Sequence, residues 1–309
     1  MLRPFSLSKC LRAKREKRPL VLEPMYDFTF KKLFDPTENK PVLINFLNSM
    51  LSGISHMNGY KIENVELLDS IPDLLTDAAK GVKQDVLTNV LCKSTNGEQF
   101  IVNLSMQQQH HPHFWTHLQY HRAHIYANQI SEEELYSSPR GFDLIKPVAM
   151  LAICNFTVFS ETKNYIFSRQ DELTPDFSET SMHYVVVELP KFSITNFDEI
   201  QTDADKWSFF LKYAADEDQK SAIQQLVNSD DDFKKAYGVL QVDNWSLAEL
   251  AESAKVSTDD LIETIRREEK QNIAENMLRN DMDPSVISKV TSMELNEVEE
   301  LRKQVEAEK

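Results

Sequence analysis

Asn103, Ser105 and Gln107 stand at alternate positions of the run Phe100-Ile101-Val102-Asn103-Leu104-Ser105-Met106-Gln107. Successive side chains of a strand point to opposite faces, so the three share one face. A second alternating run, Lys83-Gln84-Asp85-Val86-Leu87-Thr88-Asn89-Val90, precedes it, with Asn96-Gly97 between the two. Alternating runs joined through Asn-Gly predict a β-hairpin, in which Asp85 can face the polar triplet. A carboxylate and polar groups on adjacent strands are the skeleton of a metal-dependent phosphodiester hydrolase. There, a divalent ion lowers the pKa of bound water and neutralises the scissile phosphate. Mg²⁺ wants oxygen ligands and one or two carboxylates. Asp85 can supply one; the other carboxylate such a site expects is missing.

A second group of chemical side chains follows. His113, His117, His121 and His124 recur at i, i+4, i+8 and i+11, behind His110 and His111. An i, i+4 pair can chelate a transition metal. No glutamate lies between them as in a zinc protease, and no cysteine is near. The plainer expectation is a polar helix face over the cleft, with imidazoles contacting phosphate and with Tyr120 and Arg122 as further polar contacts.

The elements that must position these residues read as α/β. Met25–Phe34 carries Phe30, Leu33 and Phe34 at helical spacing and is stopped by Pro36. A helix over 41–51 has Pro41 at its start and Gly53 past its end. A strand is expected over 62–68, then the hairpin, then a helix opened by Pro112. The apolar run 147–156 suits a buried central strand. Strands follow near 165–167 and 183–189. Helix–strand–strand–strand–helix–strand is the order of an α/β domain with a mixed sheet. From about residue 198 the pattern is helical and acidic, with a weak repeat in which 246–261 and 284–301 each read as a helix pair.

Composition bounds the rest. The chain has 309 residues, of which 41% are hydrophobic and 27% charged, as expected of a soluble globular protein. Cys10, Cys92 and Cys154 are three widely spaced cysteines, which argues against a disulfide framework and for a reducing, cytoplasmic setting. No apolar run reaches the roughly 18 residues of a membrane helix. The net charge is −15, yet residues 1–24 carry seven Lys and Arg against two Glu. A basic arm over 1–24, expected to be disordered, therefore precedes an acidic body.

Several segments in chain order resemble one family. Met25-Tyr26-Asp27-Phe28-Thr29-Phe30-Lys31-Lys32-Leu33-Phe34 resembles the Asp-x-x-Phe-Lys-Lys-Leu-Phe opening of the recombination-promoting nucleases of Rpn type, the PD-(D/E)XK nuclease family transposases. Residues 42–51 resemble their next helix, with its Phe-Leu-Asn. Ser105-Met106-Gln107 sits where the family has Glu-Met-Gln, and Glu188-Leu189-Pro190-Lys191-Phe192 matches its Glu-Leu-Pro-Lys-Phe. Residues 287–301 resemble a frequent family tail.

The resemblance implies a restriction-endonuclease-like mixed sheet flanked by helices over 25–195, and an all-α tail over 196–309. It implies a Mg²⁺-dependent DNA endonuclease with Asp85 as metal ligand and Gln107 at the signature lysine position. Ser105 falls at the glutamate position, and Asp27 is an additional carboxylate. It puts His117 where the family has an arginine, and gives His117, Tyr120 and Arg122 as nucleic-acid contacts. Serine is a neutral, shorter and poorer Mg²⁺ ligand than glutamate, so impaired activity is expected. The alternative is an inactive nuclease fold that binds DNA or a protein partner. In the tail, the second helix of each pair carries acidic residues (Asp259, Asp260 and Glu263, then Glu294, Glu297, Glu299 and Glu300), which phosphates repel. Packing on the core, or homo-oligomerisation through Val286, Ile287, Val290, Val298 and Leu301, is the better expectation for it. Glu188 and Lys191 are expected to pair and to hold the sheet edge.

Overall fold

The structure is a computed structural model. It describes residues 6–16, 20–52, 61–68, 86–110, 112–137, 140–170, 183–253 and 258–307. The chain divides into two units. One is Val21–Leu240; the other joins Arg3–Leu20 to Gln241–Lys309.

Helix α1 (Leu7–Glu16) belongs to the second unit. The first unit begins with α2 (Asp27–Leu33) and α3 (Lys40–Leu51), then β1 (Ile62–Leu67), β2 (Val86–Ser94) and β3 (Gln99–Gln107). Helix α4 (Phe114–Ala127), a short α5 (Glu132–Ser137), β4 (Val148–Cys154), β5 (Ile166–Gln170) and β6 (His183–Glu188) follow. Helices α6 (Asp203–Tyr213), α7 (Lys220–Ser229) and α8 (Asp231–Leu240) complete it.

The strands form one mixed sheet in the order β1-β2-β3-β4-β6-β5. β1, β2 and β3 are antiparallel neighbours, β3, β4 and β6 are parallel, and β5 returns antiparallel on β6. Parallel neighbours need a long crossover, and α4 lies in the connection from β3 to β4. Gly97 turns the hairpin at φ 83°, a left-handed conformation that glycine adopts without a Cβ penalty. Its N–H donates to the Ser94 carbonyl at 2.9 Å.

One face of the sheet presents Val102, Leu104 and Met106 of β3, Leu151 and Ile153 of β4, and Val185 and Val187 of β6. Against them pack α2, α3, α6 and α8 through Phe30, Phe46, Trp207 and Phe233. Phe34 lies 4.3 Å from Phe46, and Trp207 4.5 Å from Phe233, ring centre to ring centre. Burying each such side chain contributes about 1.5–3 kcal/mol. Polar pins fix the helices. The Trp207 indole donates to Asn45 Oδ1 at 2.8 Å, and Asn45 Nδ2 donates to Asp232 at 3.0 Å. Asn48, in the Phe-Leu-Asn segment, clamps both backbone groups of Ile62, at 2.8 and 3.0 Å.

The opposite face carries Ile101, Val148, Met150, Ala152, Tyr184 and Val186, covered by Phe114, Leu118 and Ile125 of α4. β4 is buried along its whole length, as its apolar run predicts.

Glu188 and Lys191 do pair, at 2.6 Å with Glu188 fully buried. Glu188 Oε1 also accepts the N–H groups of Val158 and Phe159. Lys191 donates to the Phe159 carbonyl and, at 3.1 Å, to Thr162. The pair ties the loop after β4 to the end of β6, one strand in from the edge strand β5.

Two expected boundaries differ from these units. Residues 203–240 belong with the sheet and not with a separate tail starting near 196. Trp207, Phe209, Phe210 and Phe233 give them an apolar face that completes the first core. Leu7–Glu16 is a helix where a disordered arm is expected, with Cys10, Leu11 and Ala13 buried. In that unit Lys14 donates to the carbonyls of Val242 and Asp243, each at 3.1 Å. Burial pushes the Cys10 thiol up to about 11, against the pull of Lys9 and Lys14.

The second unit also holds α9 (Leu247–Ser253), α10 (Thr258–Arg279), α11 (Pro284–Thr291) and α12 (Leu295–Ala307). Ile287 and Val298 are buried against Ala274 and Leu278 of α10, with Leu301 packed beside them. These residues are spent inside their own unit, while Val286 and Val290 stay exposed. Among the described residues no helix is long and apolar enough to cross a membrane.

Candidate active site

Strand β3 is buried from Phe100 to Gln107, although Asn103, Ser105 and Gln107 on one of its faces are polar. Asn103, Ser105 and Gln107 follow Ile101 on the face beneath α4. Asn103 lies opposite Asn89 of β2 and beside Met150 of β4, Ser105 beside Ala152, and Gln107 beside Cys154. Asn103 Nδ2 donates to Asn89 Oδ1 at 2.8 Å. Three oxygens in this row, Asn103 Oδ1, Ser105 Oγ and Gln107 Oε1, are buried with no hydrogen-bond partner among the described residues. Leaving such an atom unpaired costs about 1–3 kcal/mol, so a row of them calls for a reason.

Ser105 and Gln107 thus lie on one face of β3. Asp85 lies outside the described residues; in sequence it immediately precedes β2. Asp27 is exposed in the first turn of α2. The entry to that helix is held to the end of β3, because Gln108 donates to the Met25 carbonyl. Gln108 also accepts from Asn155 at 3.4 Å, and the Asn155 N–H meets the Gln107 carbonyl at 2.9 Å. Gln108 and Asn155, which join the ends of β3 and β4 to α2, were not singled out from the sequence. Neither lies in an alternating or helical pattern that would mark it.

On α4, Phe114, Leu118, His121 and Ile125 are buried, a helical stripe with one imidazole in it. His121 Nε2 and His117 Nε2 are 2.9 Å apart, with the rings nearly perpendicular. Tyr120 is 59% exposed. Arg122 turns the other way and lays its guanidinium over the Tyr184 ring, 4.8 Å from its centre.

The oxygens of β3 are hard donors of the kind Mg²⁺ takes, but all are neutral. Among the described residues no group of three His, Cys, Asp or Glu is placed to hold a metal ion.

A hairpin followed by a helical crossover to a parallel strand, with a polar row on the third strand, is an α/β arrangement consistent with a nuclease-like fold. The family model for the PD-(D/E)XK nuclease family transposase matches residues 24–263, and the chain belongs to that family. The match opens just ahead of α2 and ends within α10, before α11 and α12. Neither a curated protein nor a solved structure matches the chain.

Proposed function

We propose that this chain is a DNA-directed nuclease-fold protein, a recombination-type endonuclease whose hydrolytic turnover is impaired. In this reading Asp85 is the remaining metal-binding carboxylate. Gln107 orients water or a phosphate oxygen, and Ser105 holds the position of a lost glutamate. The observation that carries it is the row of unpartnered buried oxygens at Asn103, Ser105 and Gln107, in the chain of a nuclease family. Buried polar atoms without partners are costly in a purely structural strand.

Nucleases of this kind generally depend on a divalent metal, and Mg²⁺ is the ion proposed. It would activate water and offset phosphate charge. With neutral oxygens at 103, 105 and 107, the local negative charge falls to what Asp85 brings, with Asp27 as a further carboxylate. Metal affinity and rate fall together. Gln107 has no basic group at neutral pH, so it orients water and does not deprotonate it. Tyr120 and His117 are proposed to meet the DNA backbone from α4, with Arg122 behind them. The second reading is binding without cleavage, and the serine at the family's glutamate position, Ser105, favours it. The three free, buried cysteines agree with a reducing, cytoplasmic setting. Self-association through the C-terminal helices would now have to use Val286 and Val290.

The test is nicking of supercoiled plasmid with Mg²⁺ or Mn²⁺ by the parent protein and by Asp85→Ala. Slow nicking by the parent that Asp85→Ala abolishes supports the reading. Equal, robust nicking by both refutes the site.

A further inference from the structure

Helix α4 alone carries the chain back along the sheet, yet residues 128–147 still separate its end at Ala127 from Val148 of β4. A helix-to-strand connection usually takes about 2–6 residues. The excess forms α5 and a short 3₁₀ helix, Gly141–Leu144. Both are held in place. The Ser131 N–H donates to Glu134 Oε2 at 3.0 Å and the Glu134 N–H to Ser131 Oγ at 3.2 Å, a reciprocal cap on α5. The Gln129 amide clamps both backbone groups of Lys146, at 2.8 and 2.7 Å. Gly141 presses on α5 so closely that a Cβ there would lie 1.9 Å from the Leu135 carbonyl oxygen.

What these two elements present to solvent is apolar. Tyr136 is 74% exposed, Phe142 59% and Leu144 52%, and the Tyr136 and Phe142 rings meet edge to face with centres 6.2 Å apart. Large apolar side chains grouped at the surface, on backbone that is already fixed, mark a contact site. We propose that this surface is a homodimer contact, in which two copies of the chain pack Tyr136, Phe142 and Leu144 against the same residues about a two-fold axis.

The charged residues of α5 and the 3₁₀ helix decide the occupant. Glu133, Glu134 and Asp143 are exposed, and the exposed Arg140 holds Asp143 at 2.7 Å. Three acids repel the phosphates of a nucleic acid or of an anionic membrane. A two-fold contact sets a patch against itself, so its rim needs both signs, and this one has them. The five donors of the Arg140 guanidinium let it keep Asp143 and meet Glu133 of the second copy. A buried Tyr or Phe removes about 150–250 Å² from water, so three large side chains per copy fit a small, reversible interface and not an obligate one. The contact lies toward the Ile101 end of β3, where Val148 pairs, and leaves the Gln107 end open in both copies. It is therefore independent of the polar row on β3.

The experiment is sedimentation equilibrium of the full chain, loaded from about 1 to 100 μM, the range that reads a weak dimer. The parent should show a concentration-dependent monomer–dimer equilibrium. Tyr136→Glu and Phe142→Glu, which set like charges across the axis, should each raise the dissociation constant roughly tenfold or more. Val286→Asp, on α11, should leave it unchanged. Both substituted rings are exposed, and circular dichroism establishes that the fold is kept; if it is not, Tyr136→Ala takes their place. A parent that stays monomeric throughout overturns the proposal. So does a Tyr136 variant that dimerises as tightly as the parent, or a dimer lost in Val286→Asp instead.

Discussion

Ser105 of β3 lies directly beside Ala152 of β4 in the parallel register, and both residues are fully buried. The hydroxyl has a small apolar neighbour and no hydrogen-bond partner among the described residues. A serine so placed does not stabilise the strand.

Replacing it should therefore cost nothing. Ser105→Ala is expected to leave stability unchanged or to raise it by about 1 kcal/mol, because an unpaired buried hydroxyl costs about 1–3 kcal/mol. Urea unfolding measures this. A loss of more than 1 kcal/mol, a margin of ordinary hydrogen-bond size, would show that the hydroxyl has a partner in solution.

The Glu188–Lys191 pair should behave in the opposite way. Lys191→Met leaves a carboxylate buried beside the Val158 and Phe159 amides. The expected loss is about 3–5 kcal/mol, the usual consequence of breaking a buried ion pair from one side. Adding Glu188→Gln should recover part of it. A double variant as unstable as the single would show that packing, and not charge, is what Lys191 supplies.

Asp205 gives the fold an acid-sensitive point. Burial opposes its ionisation, but hydrogen bonds from Tyr165 at 2.5 Å and from Thr202 at 2.7 and 2.9 Å outweigh burial and lower its pKa. A carboxylate depressed in the folded state contributes stability above its unfolded value and loses it as pH falls through the folded one. The contribution should thus be complete above the ordinary 3.8 and fade at lower pH. Asp205→Asn is expected to cost about 1–3 kcal/mol at neutral pH, the range of charge-assisted hydrogen bonds, with the gap to the parent closing in acid. A gap independent of pH would contradict this.

The hairpin, the helix over 41–51 and the central strand were legible in the sequence because period-2 alternation, Asn-Gly, Pro41 and an unbroken apolar run are local signals. The side of the sheet on which 203–240 would pack was not. Its acidic composition resembles that of the later helices, and only the burial of Trp207 and Phe233 against α2 and α3 separates them. Helix α1 was missed for a related reason. The seven-to-two basic surplus over residues 1–24 speaks of solvent, while Cys10, Leu11 and Ala13 show an apolar side only against a partner element. In the site, alternation alone put Asn103, Ser105 and Gln107 on one face. The pairing of His117 with His121 needed the helix, and the tie from Gln108 to Met25 joins residues far apart in the chain.

The most direct measurement is the initial rate of plasmid nicking in Mg²⁺ by Ser105→Glu against the parent, with Ser105→Glu/Asp85→Ala as control. Restoring a carboxylate to a metal site is worth several kcal/mol of charge stabilisation, so a gain on the order of tenfold or more is expected, and the control should lose it. A folded Ser105→Glu protein that nicks no faster than the parent would contradict the assignment of Ser105 to a lost metal-ligand position.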